Sequence, residues 1–274
     1  MKGRVMKLSE RFRVKPGSKV RLAEWDPADT AGFRDKKSVR EQTQKNLKRL
    51  SELEYILYAE SRRSLLVILQ AMDAGGKDGA IKHVTGPLNP QSCKVVPFKT
   101  PCNHELAHDF LWRIHQEAPC KGEIRIFNRS QYEDVLIVRV HNLVPRAVWS
   151  KRYDQINAFE RILAENDTHI LKFYLHISAD EQLKRFQARL KDPTRHWKVD
   201  PADFEERKHW DDYMRAYEVV LSECSTPHAP WFIIPANHKW FRNFALSEIL
   251  VEHLSALHMK FPEPATDLSK IKLK

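Results

Sequence analysis

The sequence predicts an α/β fold: a central, mostly parallel sheet of five strands covered on both faces by helices. Short apolar runs alternate with amphipathic stretches along most of the chain. The run Leu65-Leu66-Val67-Ile68-Leu69 lacks polar alternation, as expected of a parallel strand buried on both faces. It is followed by Gly75-Gly76-Lys77 and by a helix start at Ala80-Ile81-Lys82-His83-Val84. Strand, glycine turn, lysine and helix is the layout of a phosphate-binding loop.

Residues 1–35 read as irregular, with Pro16-Gly17 and Asp26-Pro27 as turns. A helix is expected from about Lys36 to Glu60, where Leu47, Leu50, Leu53 and Leu57 recur at helical spacing with Lys and Arg opposite. After the first strand and its loop, Thr85-Gly86-Pro87 ends the next helix. The second strand is Cys93 to Phe98, and a helix is expected from His104 to Gln116. Glu123 to Asn128 is the third strand, Asn157 to Asn166 a helix, His169 to Ile177 the fourth strand and Ala179 to Leu190 a helix. Pro230 to Pro235 is the fifth strand, and an amphipathic helix closes the chain from about Trp240 to Leu257. Residues 191–229 break the alternation with a polar, charged, tryptophan-bearing segment. One domain over 1–274 is expected, with an N-terminal extension to about residue 60 and the 191–229 segment as an inserted lid.

In the loop, Ala71 stands where the usual pattern has its first glycine, and Asp78 where a Ser or Thr would ligate magnesium. The glycines let the backbone turn and aim N–H groups at an anion, the helix adds its positive end, and Lys77 adds a mobile charge. A plain strand-to-helix turn with a solvent-facing lysine is the competing reading. Asp73 weakens it, because a carboxylate in a phosphate cradle is repelled unless a metal lies between them.

The third strand ends in Asn128, followed by Arg129-Ser130-Gln131-Tyr132-Glu133-Asp134. Asn128 can bond a phosphate or a metal-bound water, and Arg129 can fork onto phosphate oxygens. Ser130 with Glu133 fits a capping box, so Glu133 is as readily structural as functional. Asp134, one residue further into that turn, is placed to face the loop and supply the carboxylate that Asn128 lacks. Arg185 and Arg189 share a helix face. Asp192-Pro193 breaks that helix, and Arg195, Trp197, Lys198 and the helical stretch Pro201 to Val220 with Arg207, Lys208 and Arg215 read as a lid that excludes water. The candidate phosphate contacts are Ala74, Gly75, Gly76, Lys77, Asp78, Gly79, Lys82, Arg189, Arg195, Lys198 and Lys208.

A formal net charge of +10 favours a polyanionic partner without choosing one. Cys93, Cys102, Cys120 and Cys224 show no zinc spacing and read as reduced thiols of a cytoplasmic protein. The basic start lacks an apolar stretch for secretion, and no segment approaches the ~20 apolar residues of a membrane span. His104 and His108 are four apart but have no third ligand at a recognisable spacing.

The segments AMDAGGKDG, FNRSQYEDVLIVRVHNLVP, FYLHIS, DPTRHWK and APWFIIPANHKWFRN resemble the polyphosphate kinase 2 family, from about residue 12 to residue 262. FNRSQYED, with asparagine where other branches carry aspartate, resembles the third class. That class is associated with phosphorylating AMP and ADP, to ADP and ATP, from inorganic polyphosphate with Mg2+. The resemblance implies a P-loop kinase fold of the thymidylate kinase type, a three-layer sandwich with a helical lid. It implies that Asp73 and Asp134 hold Mg2+, that Lys77, Arg129 and Arg185 contact the transferring phosphates, and that the chain forms dimers or tetramers. Two alternatives remain at this point: an ATP-dependent nucleotide kinase on the same fold, and a non-enzymatic nucleic-acid binder. The paired carboxylates beside a phosphate cradle argue against the second, and neither nucleic acid nor membrane is an expected partner.

Overall fold

Five strands form one parallel sheet in the order β2-β3-β1-β4-β5. They are β1 Ser64–Gln70, β2 Cys93–Pro97, β3 Ile124–Asn128, β4 Thr168–His176 and β5 Trp231–Pro235. The structure, a computed structural model, describes residues 7–268 and 271. Helices join the strands, because a parallel neighbour is reached only by a crossover. The longer ones are α1 Lys36–Glu60, α2 Lys77–Thr85, α3 Arg152–Glu165, α4 Ala179–Lys191, α5 Trp210–Glu223 and α6 Lys239–Ala256.

Every residue of β1 is buried. Leu65, Val67 and Leu69 enter one apolar cluster with α1, α2 and α6, while Leu66 and Ile68 enter the other with α3 and α5. That two-sided burial is why the run does not alternate. Each such side chain contributes roughly 1.5–3 kcal/mol relative to exposure. Leu69 pairs with Asn128 and Gln70 with Tyr174, so the strand ends that carry the loops lie side by side.

Helix α1 starts at Asp35, whose carboxylate accepts from the Ser38 N–H at 2.9 Å. Leu50, Leu53 and Leu57 are buried as their spacing predicts, and α1 packs along α6. Leu47 is only half-buried. Asn46 is buried instead and donates to Glu248 at 2.6 Å. A polar residue can occupy that seam because its amide is satisfied across it.

The helix expected over His104 to Gln116 is two short turns, Asn103–Leu106 and Trp112–Gln116. Asp109 separates them: its carboxylate captures the Leu111 N–H at 2.9 Å, a local bond that competes with helix continuation. Within the N-terminal extension, residues 1–6 lie outside the described residues, and Leu8–Phe12 is a short helix rather than irregular chain. Phe12 meets the Phe241 ring edge-on at 5.8 Å, and the Val14 N–H donates to the Trp231 carbonyl at 2.9 Å. These contacts seat the extension on β5 and α6.

Residues 191–229 divide in two. Short turns at Pro193–Lys198, Pro201–Glu206 and Arg207–His209 form an outer layer in which no residue is buried. From Trp210 the chain enters α5, whose Tyr213, Ala216, Tyr217, Val220 and Leu221 are core. The exposed part therefore ends near His209, and α5 beyond it is a helix with a buried face. Among the described residues no helix is long and apolar enough to cross a membrane.

Candidate active site

The β1–α2 loop has the backbone its glycines allow. Gly76 sits at φ 96° and directly precedes α2. A Cβ on Gly76 would come within 2.2 Å of Arg242 Nη1, and one on Gly75 within 2.5 Å of the Ala71 Cβ. Glycine is thus required at 76 for both conformation and space. Lys77 opens α2, and its Nζ donates to the Ala71 carbonyl at 2.9 Å across the loop. Burial lowers the pKa of this ammonium, and the Asp73 carboxylate opposes that shift.

Two arginines on the cleft wall brace the loop backbone. Arg185 Nη1 donates to the carbonyls of Ala74 at 2.9 Å and Gly75 at 3.0 Å, and its Nη2 to those of Ala236 and Asn237. Arg242 Nη1 donates to the Gly76 carbonyl at 3.1 Å. These bonds fix the carbonyls of Ala74, Gly75 and Gly76, and so the course of the loop backbone. Burial and the neighbouring Arg185 push the Arg242 pKa down to about 10. Gln182, also buried, donates to the Asp73 carbonyl at 3.0 Å. Arg242 and Gln182 hold the loop by hydrogen bonds that the sequence does not single out. Arg242 lies in the KWFRN stretch, but nothing local ties it to a loop 166 residues away.

Arg129 follows β3 at φ 66°, a left-handed conformation that costs a non-glycine residue on the order of 1–2 kcal/mol. There its Nη2 donates to Asp73 Oδ1 at 3.2 Å. Asn128 Nδ2 donates to Asp78 Oδ1 at 3.2 Å, and Lys198 of the outer layer reaches Asp78 Oδ2 at 3.1 Å.

These groups line one open cleft of about 1160 Å³. It gathers loop residues 73–79, Asn128, Arg129, Arg185, Arg189, Arg195 and Lys198 from the sequence-derived set, and adds Lys99, Lys184, Lys239 and Arg242. Ten Lys and Arg residues face it against four Asp and Glu, so the cleft suits a ligand with several negative charges. Lys82 and Lys208 do not line it. Lys82 is exposed on α2, and Lys208 is exposed and paired with Glu205.

Asp134 does not face the loop as its position suggested. It is absent from the cleft lining, and Arg152 Nη1 holds its Oδ1 at 3.0 Å. Burial outweighs that guanidinium and raises the Asp134 pKa to about 6. Glu133 is the carboxylate of this motif whose charge acts on Lys77 and Arg129. Gln131–Val135 is a 3-10 turn, not an α-helix. Ser130 caps the turn, accepting from the Tyr132 N–H at 3.3 Å.

Beneath the motif lies a buried polar cluster. Lys172 Nζ contacts Glu160, the Tyr132 hydroxyl at 2.8 Å and the Cys224 carbonyl at 2.6 Å. Glu160 accepts from the Tyr132 hydroxyl at 2.7 Å and from Gln131 at 3.0 Å. This cluster fixes the turn after Arg129 to β4 and α3.

A buried parallel strand, a left-handed glycine turn, a lysine at a helix start and a cationic cleft above them define a P-loop phosphotransferase. The model of the family described as polyphosphate kinase 2 matches residues 33–262, and the chain belongs to that family. It is 51% identical over 263 residues to an AMP/ADP-polyphosphate phosphotransferase of Meiothermus ruber, covering 96% of this chain and 98% of that protein. It is 45% identical to an ADP-polyphosphate phosphotransferase of Rhodopseudomonas palustris, covering 93% and 92% of the two chains. The crystal structure of polyphosphate kinase 2 from Arthrobacter aurescens TC1 matches with a TM-score of 0.93 at 43% identity, over 97% of this chain and 95% of that one.

Proposed function

We propose that this chain is a polyphosphate-dependent nucleotide kinase. It moves the terminal phosphate of inorganic polyphosphate onto AMP and onto ADP, giving ADP and ATP by direct in-line transfer. The observation that carries this reading is the long cationic cleft opening on the Lys77 loop. A polymer with about one charge per phosphate binds such a groove without any sequence readout. The names of the Meiothermus ruber and Rhodopseudomonas palustris relatives support the same donor and acceptors.

Phosphoryl transfer needs positioning and charge compensation more than covalent help from the protein. Lys77 and Arg129 stand at the loop, where they offset charge on the transferring group. Arg185 and Arg242, which also line the cleft, hold loop carbonyls and add positive charge beside the loop, where Arg185 can also meet the transferring phosphates. The acceptor oxygen is already largely ionised at neutral pH, because a phosphate has a second pKa of about 6. No strong base is needed. The outer layer at Pro193–Lys198 lines the cleft and limits water, the competing acceptor.

The family's phosphotransferases work with a divalent cation, which we assign as Mg2+. Asp73, on the cleft wall, offers the hard oxygen donors this ion takes. Asp134 would join Asp73 only by leaving Arg152. When bound, Mg2+ would offset the negative charge that builds up on the phosphates in transfer. The free cysteines fit a cytoplasmic setting, and a homodimer or homotetramer completes the proposal.

The test is a time course from AMP with Mg2+ and excess polyphosphate, resolving mono-, di- and triphosphates. ADP rises first and ATP comes after it. If ADP accumulates and ATP never forms, the dual-acceptor reading fails. If only ATP serves as donor, the chain is an ordinary nucleotide kinase. A second expectation concerns salt. Polyphosphate affinity falls at least tenfold, by a rough count of phosphate contacts, between about 50 and 200 mM salt as counterions are released. A flat response in a binding titration would contradict an extended cationic groove.

A further inference from the structure

Ala74, inside the phosphate loop, has φ 57°. A left-handed backbone is unfavourable for a residue that carries a Cβ, and it persists only where the surroundings hold it. The two peptide units that flank Ala74 are both held from α4. Gln182 Nε2 donates to the Asp73 carbonyl at 3.0 Å, and Arg185 Nη1 to the Ala74 carbonyl at 2.9 Å. A peptide is planar, so fixing its carbonyl fixes the whole unit. Gln182 and Arg185 stand three residues apart on α4, on one face.

The two side chains are themselves supported differently. Arg185 is held by Glu181 at 2.8 Å and by the carbonyls of Ala236 and Asn237. Gln182 is held from the outer layer: Arg207 Nη1 donates to its Oε1 at 2.9 Å and to the Ala179 carbonyl at 2.7 Å. Arg207 stands where the outer layer gives way to α5, and it does not line the cleft. Neither does Gln182, which is buried. Phe204 of the outer layer packs against Phe186 of α4 with ring centroids 5.1 Å apart, which keeps this stretch on the helix. The chemistry of the three groups leaves the amide one orientation. A guanidinium only donates and a carbonyl oxygen only accepts. The Gln182 oxygen therefore faces Arg207, and its NH2 faces the Asp73 carbonyl. Turned over, the amide would set its NH2 against a cation and its oxygen against an oxygen, both out of water.

We propose that Arg207 is a positioning residue for phosphoryl transfer: acting through Gln182, it holds the Asp73–Ala74 peptide and with it the left-handed turn that shapes the phosphate loop. Its guanidinium is spent on an amide that steers the loop, not on substrate. The outer layer and the loop are thereby joined by a short chain of hydrogen bonds, Arg207 to Gln182 to Asp73. The turnover part of the test rests on the phosphotransferase reading; the chain of contacts does not.

Two readouts test it in wild type, R207M, R207K, Q182M, Q182E and the double variant R207M/Q182M. The first is amide hydrogen exchange of the substrate-free protein, which needs no turnover. R207M speeds exchange in loop residues 71–79 by about fivefold, the factor that one ordinary hydrogen bond supports. The second is turnover. Q182M lowers kcat by about 10- to 100-fold, the loss that a small misplacement of reacting groups produces. KM for polyphosphate changes little, because neither residue lines the cleft. R207M lowers kcat in the same way, and the double variant falls no further than Q182M, since the two act in one chain. Q182E keeps an oxygen for Arg207 but cannot donate to Asp73, so it behaves as Q182M does. R207K still donates to the amide oxygen and recovers kcat to within a few-fold of wild type. Arg207 is half-buried, so R207M should fold, and thermal melts verify it. If a Gln182 variant fails to melt cooperatively, R207M and R207K decide the matter by themselves. The proposal is overturned if R207M leaves loop exchange at the wild-type rate, if the losses of R207M and Q182M multiply in the double variant, or if Q182E turns over like wild type. Lower melting temperatures with kcat intact would also overturn it, since the chain would then serve stability alone. If the exchange difference appears but wild type makes no nucleotide from polyphosphate, the donor assignment fails and the positioning chain stands.

Discussion

Lys77→Ala lowers polyphosphate-dependent turnover by at least about 100-fold, the loss expected when a preorganised charge leaves a site of charge transfer. Lys77 sits at the start of α2, directly after left-handed Gly76, and its Nζ spans the loop to the Ala71 carbonyl at 2.9 Å. Burial disfavours its charge, so the ammonium is held where an arriving phosphate would gain most from it. Folding should change little. The variant loses one part-buried hydrogen bond, worth about 1 kcal/mol, which lowers Tm by about 2–4 °C in a chain this long. Turnover with AMP and with ADP, measured beside a thermal melt, separates the two effects. Lys77→Arg does not rescue, since a planar guanidinium cannot replace a compact ammonium beneath the loop. Near-normal turnover by a cooperatively folded Lys77→Ala protein would remove the loop from the chemistry.

The largest effect on stability is expected from Lys172→Met. Lys172 is fully buried on β4, and so is Glu160 opposite it on α3. Removing the lysine leaves the Glu160 carboxylate in the core without its cation, a loss of about 3–5 kcal/mol. The Cys224 carbonyl loses a donor as well. The corresponding drop in Tm is about 6–20 °C. Glu160→Gln added to Lys172→Met should recover much of this. The amide carries no charge, yet still offers an oxygen to Tyr132 or Gln131. Urea unfolding of the wild type, both single variants and the double variant gives the coupling directly. A Lys172→Met protein within about 1 kcal/mol of wild type would mean that the cluster does not need its charges. Because Tyr132 and Gln131 come just after Arg129 in the chain, lost stability here should also loosen the Arg129–Asp73 contact.

Where the signal was local, the sequence alone determined the outcome. The unalternating run at Leu65 to Leu69 can be read because two-sided burial demands apolar residues at every position. The turn at Gly75-Gly76-Lys77 can be read because few residues tolerate a φ of 96° and a guanidinium within 2.2 Å of a would-be Cβ. Asn128 and Arg129 could be placed at the site because a strand end must deliver them there once β3 pairs with β1.

Tertiary structure decided everything that depended on which face a side chain takes or on a partner far along the chain. Asp134 pairs with Arg152, and a capping pattern in the sequence does not distinguish the 3-10 winding at Gln131–Val135 from an α-turn. Asp109 split a helix that periodicity alone would continue. Tyr213 and Tyr217 drew α5 into the core, although charge along the same segment suggested a surface lid. Arg242 at Gly76, Lys172 at Glu160 and Lys198 at Asp78 meet only because the parallel sheet brings its strand ends and covering helices together. Periodicity records burial within one element. The pairing of buried or cleft-facing charges is set by packing between elements, where each must find a partner or stay in water.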